Sequence, residues 1–201
     1  MYIESPQLNC KKYLKGDNLY KAIFSHKNIN DLPDYYSCVS DLLRCDTVLQ
    51  LDEYKHHKGT TRLQHSLNVS YYNFLICRKL HWDARSAARA GLLHDLFLYD
   101  RKEHERVDGE GWHGVGHPKI AFFNAVELFP LNERESDMIV NHMFPITPHL
   151  PHFRETWVIQ FVDKFCAVSE LCALAARSGR RYMRVAAVFS LGLLVRLTTR
   201  L

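Results

Sequence analysis

Apolar residues recur at intervals of three and four along most of the chain, which is the spacing of amphipathic helices. One such stripe runs through residues 63–80. The next segment, residues 82–97, is rich in alanine and begins at Asp83, a residue type that caps helix N-termini. The sequence shows no strict alternation of apolar and polar residues flanking the turn residues of a β-hairpin. The pattern therefore predicts an all-α protein.

Helix-start and helix-stop signals bound the remaining predicted helices. Asn132 followed by Glu135 predicts a capping box, and Pro118 fits the first turn of the helix before it. The further helical segments are residues 34–51, 117–129, 131–144, 154–179 and 181–198. We expect the bundle core to include Leu67, Phe74, Leu92, Ile139 and Phe161.

A chain of 201 residues is long enough to bury a substantial core, and its length fits one domain with an extension. Residues 1–48 are predicted to be an N-terminal helical extension. Turn signals interrupt the short apolar stretches of residues 1–36, as in an appendage, and helical spacing begins near residue 34. Residues 49–201 are predicted to form the main domain.

Composition narrows the class of protein. Hydrophobic residues make up 47% and charged residues 24% of the chain, which is ordinary for a globular protein. A net charge of +4 is too small to indicate nucleic acid, which we do not expect as a partner. The longest apolar run, residues 185–195, is too short to cross a bilayer, and the N-terminus lacks a signal-peptide pattern. Six scattered cysteines are typical of core residues in a reducing compartment. We expect a cytoplasmic protein with no membrane partner.

The basic, acid-free stretch after Glu170 is compatible with nucleic acid, an anionic membrane surface or an acidic partner, but solvated arginines on a docked helix explain it more simply.

Histidine is abundant, with 12 residues, and the pair His94-Asp95 interrupts the apolar stretch GLLHDLFLYD. A buried carboxylate needs a cationic partner or a metal, and neutral imidazole is a common metal ligand. Other histidines and one aspartate occupy comparable apolar positions on successive predicted helices. These residues are His65, His117, His142 and Asp163. Helices of a bundle can offer inward ligands at one depth, so the pattern indicates a metal site.

The order of these residues resembles the H…HD…D pattern of the HD-domain superfamily of metal-dependent phosphohydrolases, with the additional histidines of its binuclear members. The resemblance covers about residues 54–175, and the phrases HGVGHP, NHMFP and VDKF are also similar to that family. It implies an HD-domain helical bundle, with the metal site in the bundle core, for residues 49–201.

The resemblance also implies the ligand set. His65, His94, Asp95 and Asp163 would hold a first divalent metal ion, and His117 and His142 a second, with Asp95 bridging the two. His94 and Asp95 would thereby be the catalytic residues. The metals would be two ions of Mn, Fe, Mg, Co or Ni, and a metal-activated water would attack a small phosphorylated substrate, with nucleotides the favoured class.

The resemblance does not fix the substrate contacts, because Leu96 and Phe97 follow His94-Asp95 where many HD phosphodiesterases have Gly-Lys. Cationic or hydrogen-bonding candidates are His57, Lys58, Arg62, His113 and Lys164, each of which also fits a solvated loop or helix surface. Two alternatives stay open: a di-iron oxygenase on the same fold and a non-catalytic, ligand-sensing module. Self-association into a homo-oligomer is also open.

Overall fold

The computed structural model describes residues 21–26, 28–57, 59–100 and 113–177. Most of these residues are helical, which agrees with the predicted all-α class. The structure also contains a two-stranded antiparallel hairpin, which was not predicted. The helices are α1 Pro33–Val39, α2 Asp46–Leu49, α3 Arg62–Lys79, α4 Ala84–Leu93, α5 His113–Leu128, α6 Glu133–Asn141 and α7 Arg154–Arg177, and the strands are β1 Lys55–His57 and β2 Thr60–Thr61. The helix predicted over 181–198 lies outside the described residues.

Side-chain caps begin three of the long helices. Thr61 accepts a hydrogen bond from the backbone N–H of Gln64 at 3.2 Å, and Asp83 accepts one from that of Ser86 at 2.9 Å. The predicted capping box is confirmed: Asn132 and Glu135 each accept from the other's backbone N–H. Because these caps satisfy N–H groups that lack helical partners, they set where α3, α4 and α6 begin.

Helix α5 differs from its prediction. It begins at His113, four residues earlier than expected, so Pro118 lies inside the helix and not at its start. The HGVG segment lies before the predicted start, and its glycines are weak helix formers, so the sequence does not reveal this first turn. Proline removes one intrahelical hydrogen bond, and near a helix N-terminus that loss affects a single turn.

The hairpin lies in the polar segment of residues 54–62, for which no strand was predicted. Lys55 pairs with Thr61 and His57 with Thr60, and Gly59 has a φ of 112°, a conformation that favours glycine. The backbone N–H of Arg62 then donates to the carbonyl of Tyr54 at 2.8 Å, which ties the hairpin to the start of α3. Strands of two and three residues are too short to show an alternating pattern, so the sequence does not reveal them.

One buried cluster joins residues on both sides of position 48. Tyr35, Val39 and Leu42 belong to the same apolar cluster as the helices that follow. The domain boundary at residue 48 remains a prediction, but the core does not stop there. Of the expected core residues, Leu67, Phe74, Leu92 and Ile139 are buried, whereas the expectation for Phe161 is wrong, because it is 53% exposed.

Helices α3 and α4 cross closely, and this crossing positions the site. A Cβ at Gly91 would lie 2.7 Å from the Cα of Ser70, so only glycine fits without a shift of the backbone. The Ser70 hydroxyl donates to the carbonyl of Ala88 at 2.6 Å, which fixes the crossing further. The start of α3 is thereby held beside the end of α4. None of the helices in the described ranges is long and apolar enough to cross a membrane.

Candidate metal centre

The six predicted ligand residues converge in the interior of the bundle. Two lie near helix starts, three lie just beyond helix ends and one lies in the middle of α7. In chain order they are His65, His94, Asp95, His117, His142 and Asp163. Five of them are at most 6% exposed, and the side chain of Asp163 is 15% exposed. The structure therefore brings together residues that are up to 98 positions apart in the chain.

One part of the cluster is centred on Asp163. Its Oδ1 is 3.0 Å from Nε2 of His65 and 3.7 Å from Nε2 of His94, and His94 Nε2 is in turn 3.8 Å from Oδ2 of Asp95. Two atoms that each lie about 2.1 Å from one ion are about 3.0–3.4 Å apart for bond angles of about 90–109°. His65, His94 and Asp163 thus have a spacing close to that of a ligand set.

The other part of the cluster is a histidine pair. Nε2 of His117 is 3.0 Å from Nε2 of His142, and these atoms are 3.5 Å and 4.0 Å from Oδ1 of Asp95. The other oxygen of that carboxylate, Oδ2, faces His94. Asp95 therefore lies between two groups of imidazoles and turns one oxygen toward each.

Backbone carbonyls fix two of the rings. Nδ1 of His94 is 2.9 Å from the carbonyl oxygen of Gly91, and Nδ1 of His142 is 2.8 Å from that of Ile139. Since a carbonyl can only accept, we assign a proton to Nδ1 of each ring, so that the neutral form of the ring has its lone pair on Nε2. Nε2 of His94 is buried without a hydrogen-bond partner. This orphaned acceptor faces the cluster, as a metal ligand would.

The carboxylates of the cluster are held in their charged form. Burial acts to raise the pKa of Asp95, but the surrounding imidazoles of His94, His117, His56 and His142 lower it strongly. For Asp163, burial is likewise outweighed by the hydrogen bond to His65 and by the nearby imidazole of His94, so its pKa also lies well below the ordinary value. Two anionic side chains in a buried space are a suitable environment for a divalent cation.

The pKa values of two of the imidazoles are shifted in opposite directions by their neighbours. Burial acts to lower the pKa of His65, but hydrogen bonds to Asp163 and Glu170 raise it to about 10. Burial, together with the nearby rings of His94 and His117, lowers the pKa of His142 to about 3. Without a metal, a protonated His65 therefore balances part of the carboxylate charge, while His142 stays neutral and able to ligate.

Glu170 is a site residue that the sequence did not single out. Its Oε1 and Oε2 are 3.1 Å and 3.2 Å from Nδ1 of His65, and Nδ2 of Asn68 donates to Oε1 at 2.7 Å. Such a carboxylate orients a ligating histidine and makes its other nitrogen more basic. The available signal was spacing, because Glu170 lies two helical turns after Asp163 on the same face of α7.

His56 is the second residue that sequence reasoning missed. It extends from β1, its ring stacks on that of His65 with centroids 3.7 Å apart, and its Nδ1 is 3.6 Å from Oδ2 of Asp95. The sequence prediction chose His57, its neighbour, as a substrate contact. Successive residues of a strand point in opposite directions, so identifying the inward histidine required knowledge of the hairpin.

Two of the predicted substrate contacts, Arg62 and Lys164, donate hydrogen bonds to backbone carbonyls of the protein. Arg62 is 2% exposed, donates to the carbonyls of Phe97 and Tyr99, and lies 3.6 Å from the centroid of the Phe97 ring. Its guanidinium thus holds the segment that follows Asp95. Lys164 is exposed, and its Nζ donates to the carbonyl of Gln160, one turn back along α7. Contact of either residue with phosphate remains a prediction.

The other three candidates are seen only in part or not at all. His57 lies in β1 and His113 begins α5, but their side chains are outside what the structure describes, as is the whole of Lys58. Their predicted contacts with substrate therefore remain predictions.

Comparison with known proteins does not assign the chain to a family. No protein-family model matches it, and neither a curated protein nor a solved structure gives a match. Any functional assignment therefore rests on the ordered residues of the sequence and on the geometry of this cluster.

Proposed function

We propose that the protein is a metal-dependent phosphohydrolase of the HD-domain type, which holds two divalent ions and hydrolyses a small phosphorylated substrate, with nucleotides as the favoured class. The observation that best supports this proposal is the position of Asp95, whose two carboxylate oxygens face two separate sets of imidazoles. A carboxylate in that position can bridge two cations and partly neutralise both.

The residues present fit such a pair of ions. His65, His94 and Asp163 supply one set, His117 and His142 supply the other, and Asp95 is shared. The buried Nε2 of His94, which has no hydrogen-bond partner, is best explained by an ion that this lone pair would bind. All donors are imidazole nitrogen or carboxylate oxygen, a mixture that suits Mn, Fe, Co, Ni or Mg and does not choose among them.

When bound, the ions supply stabilisation of phosphoryl charge and lower the pKa of a bound water toward neutrality. The chain itself orients the ligands: the carbonyls of Gly91 and Ile139 fix two rings, and Glu170 fixes His65. Phe97, which is 3% exposed, lies beside His117 and helps to exclude bulk water. Among the cluster residues, the side chains of Asp163 and His56 are the most exposed, at 15% and 17%, so substrate would approach from their side.

Metal analysis followed by an activity screen tests this proposal. The purified protein should contain or take up about two divalent ions per chain, as the two-metal template requires, and should release phosphate from some phosphorylated metabolites with Mn, Fe, Mg, Co or Ni. The variant His149→Ala, which changes an exposed histidine away from the cluster, should behave as wild type.

Failure to take up any of these metals would contradict the proposal. Metal-dependent consumption of oxygen by the iron form would favour the oxygenase alternative. Saturable binding of a phosphorylated ligand without turnover would favour the sensing module.

A further inference from the structure

The hairpin brings a seventh potential ligand to the cluster. We propose that His56 is an additional ligand of the ion on the Oδ2 side of Asp95, an inference that rests on the proposed metal centre. Nothing in the HD pattern of the sequence marks this residue. It reaches the cluster because β1 packs against α3, whose first turn carries His65.

The distance from His56 to Asp95 matches those of the predicted ligands. Its Nδ1 is 3.6 Å from Oδ2 of Asp95, whereas the Nε2 atoms of His117, His94 and His142 are 3.5, 3.8 and 4.0 Å from the nearer oxygen of the same carboxylate. A donor atom of His56 also lies within 4.8 Å of donor atoms of His65 and Glu170. His56 is therefore as close to the carboxylate of Asp95 as the histidines that the sequence selected.

The hairpin holds His56 in place. The hydroxyl of Thr61 donates to Asp52 at 2.8 Å, and the backbone N–H of Arg62 donates to the carbonyl of Tyr54. The His56 ring lies nearly parallel to that of His65, with an angle of 12° between their planes, so its in-plane nitrogen points along the cluster and not into the neighbouring ring. A ligand held in advance loses little conformational entropy when an ion binds.

Two substitutions separate ligation from packing. His56→Phe keeps a ring that can stack on His65 but has no nitrogen, whereas His56→Ala removes both the ring and the nitrogen. Lys55→Ala is the matched control, because Lys55 is an exposed residue of the same strand. Each metal-free protein would be titrated with Co²⁺ alone, with binding followed by calorimetry and by visible absorption, and its folding checked by circular dichroism.

Ligation predicts that both His56 variants lose at least about 10-fold in affinity for one of the two Co²⁺ ions, since even residues that only orient a ligand are worth that much. The visible absorption of the bound Co²⁺ should also change, because the number of ligands changes. Lys55→Ala should bind Co²⁺ as wild type does.

Three results would overturn the inference, and they differ from one another. Wild-type affinity in His56→Phe but not in His56→Ala would make His56 a packing residue. Unchanged Co²⁺ affinity with a raised KM in both variants would make it a substrate contact. Absence of Co²⁺ binding by the wild-type protein would overturn the proposed function itself, and this inference with it.

Discussion

Asp95 is the residue on which both halves of the cluster depend. Asp95→Asn nearly preserves size but removes the charge and replaces one ligating oxygen by an amide N–H₂ group, which cannot bind a cation. We expect the variant to stay folded, to lose most of its metal and to lose at least about 10²-fold in rate, because charge stabilisation and water activation both weaken. Asp163→Asn should cost less, since the histidines that lie within 4.0 Å of Asp163 in the described part of the chain, His65 and His94, belong to one half of the cluster. Circular dichroism, metal analysis and phosphatase assays on one preparation measure these effects. Full metal content and activity in Asp95→Asn would remove Asp95 from the site.

Substitution of Glu170 tests whether a residue outside the ligand set affects metal affinity. Glu170→Ala removes the acceptor that orients His65, so we expect metal affinity to fall by about 10- to 100-fold. Glu170→Gln keeps an oxygen that can accept from Nδ1 of His65, and should recover part of that loss. The measurement is competition with a chelator of known affinity, and Glu127→Gln, at an exposed position of α5, is the control. Equal affinities for wild type and Glu170→Ala would leave Glu170 with a structural role only.

Among the helices, α6 holds the start of α7 through a single carboxylate. Asp137 accepts hydrogen bonds from the backbone N–H groups of His152 and Phe153 and from the side chains of Thr156 and Asn141. Burial acts to raise the pKa of Asp137, but these hydrogen bonds outweigh it, and the pKa is lowered. Because α7 carries Asp163 and Glu170, this contact also supports the candidate metal centre.

The lowered pKa of Asp137 fixes the sign of a pH effect. Its contribution to stability is complete above the unfolded-state pKa of about 3.9 and is lost as the pH falls through the lower folded-state pKa. Asp137→Asn should therefore reduce the free energy of unfolding at pH 7 by about 1–3 kcal/mol, and its difference from wild type should narrow below about pH 4. Urea unfolding of metal-free protein measures this, with Asp34→Asn, at an exposed position, as the control. A difference independent of pH would show that the carboxylate charge is not what matters.

For the molecule as a whole, the sequence predicted where most of the long helices begin, and α7 begins at its predicted residue. Helices α3, α4 and α6 begin within two residues of their predicted starts, because capping residues and apolar spacing agree there. Phe161 was misplaced because α7 is apolar on more than one side, so spacing alone does not identify its buried face. The hairpin was missed because its pairing depends on contacts between strands too short to be periodic.

The site was predictable to the extent that its residues have distinctive neighbours in the chain. His94-Asp95 interrupts an apolar run, and His65, His117 and His142 lie on or beside predicted helices, so their order could be read directly. His56 lies in a polar stretch, whereas Glu170 is a single carboxylate among apolar neighbours, and the partner that both contact is His65. One of those contacts joins residues 105 positions apart, a separation that no local pattern encodes.

Metal binding should stabilise the whole bundle, because the cluster draws on α3, α5 and α7 and on the segments that follow α4 and α6. An ion that binds only the folded chain adds about 2.7 kcal/mol at a concentration 100 times its Kd. For a chain of this size that corresponds to a rise in Tm of about 5–10 °C. Thermal unfolding with and without added Mn²⁺ or Co²⁺ measures the shift, and chelator should reverse it. Asp95→Asn should show little of this rise, since the carboxylate shared by the two ligand groups is gone, while His149→Ala should show all of it. An equal rise in Asp95→Asn would mean that the stabilising ion binds elsewhere, and the buried cluster would then owe its composition to something other than metal.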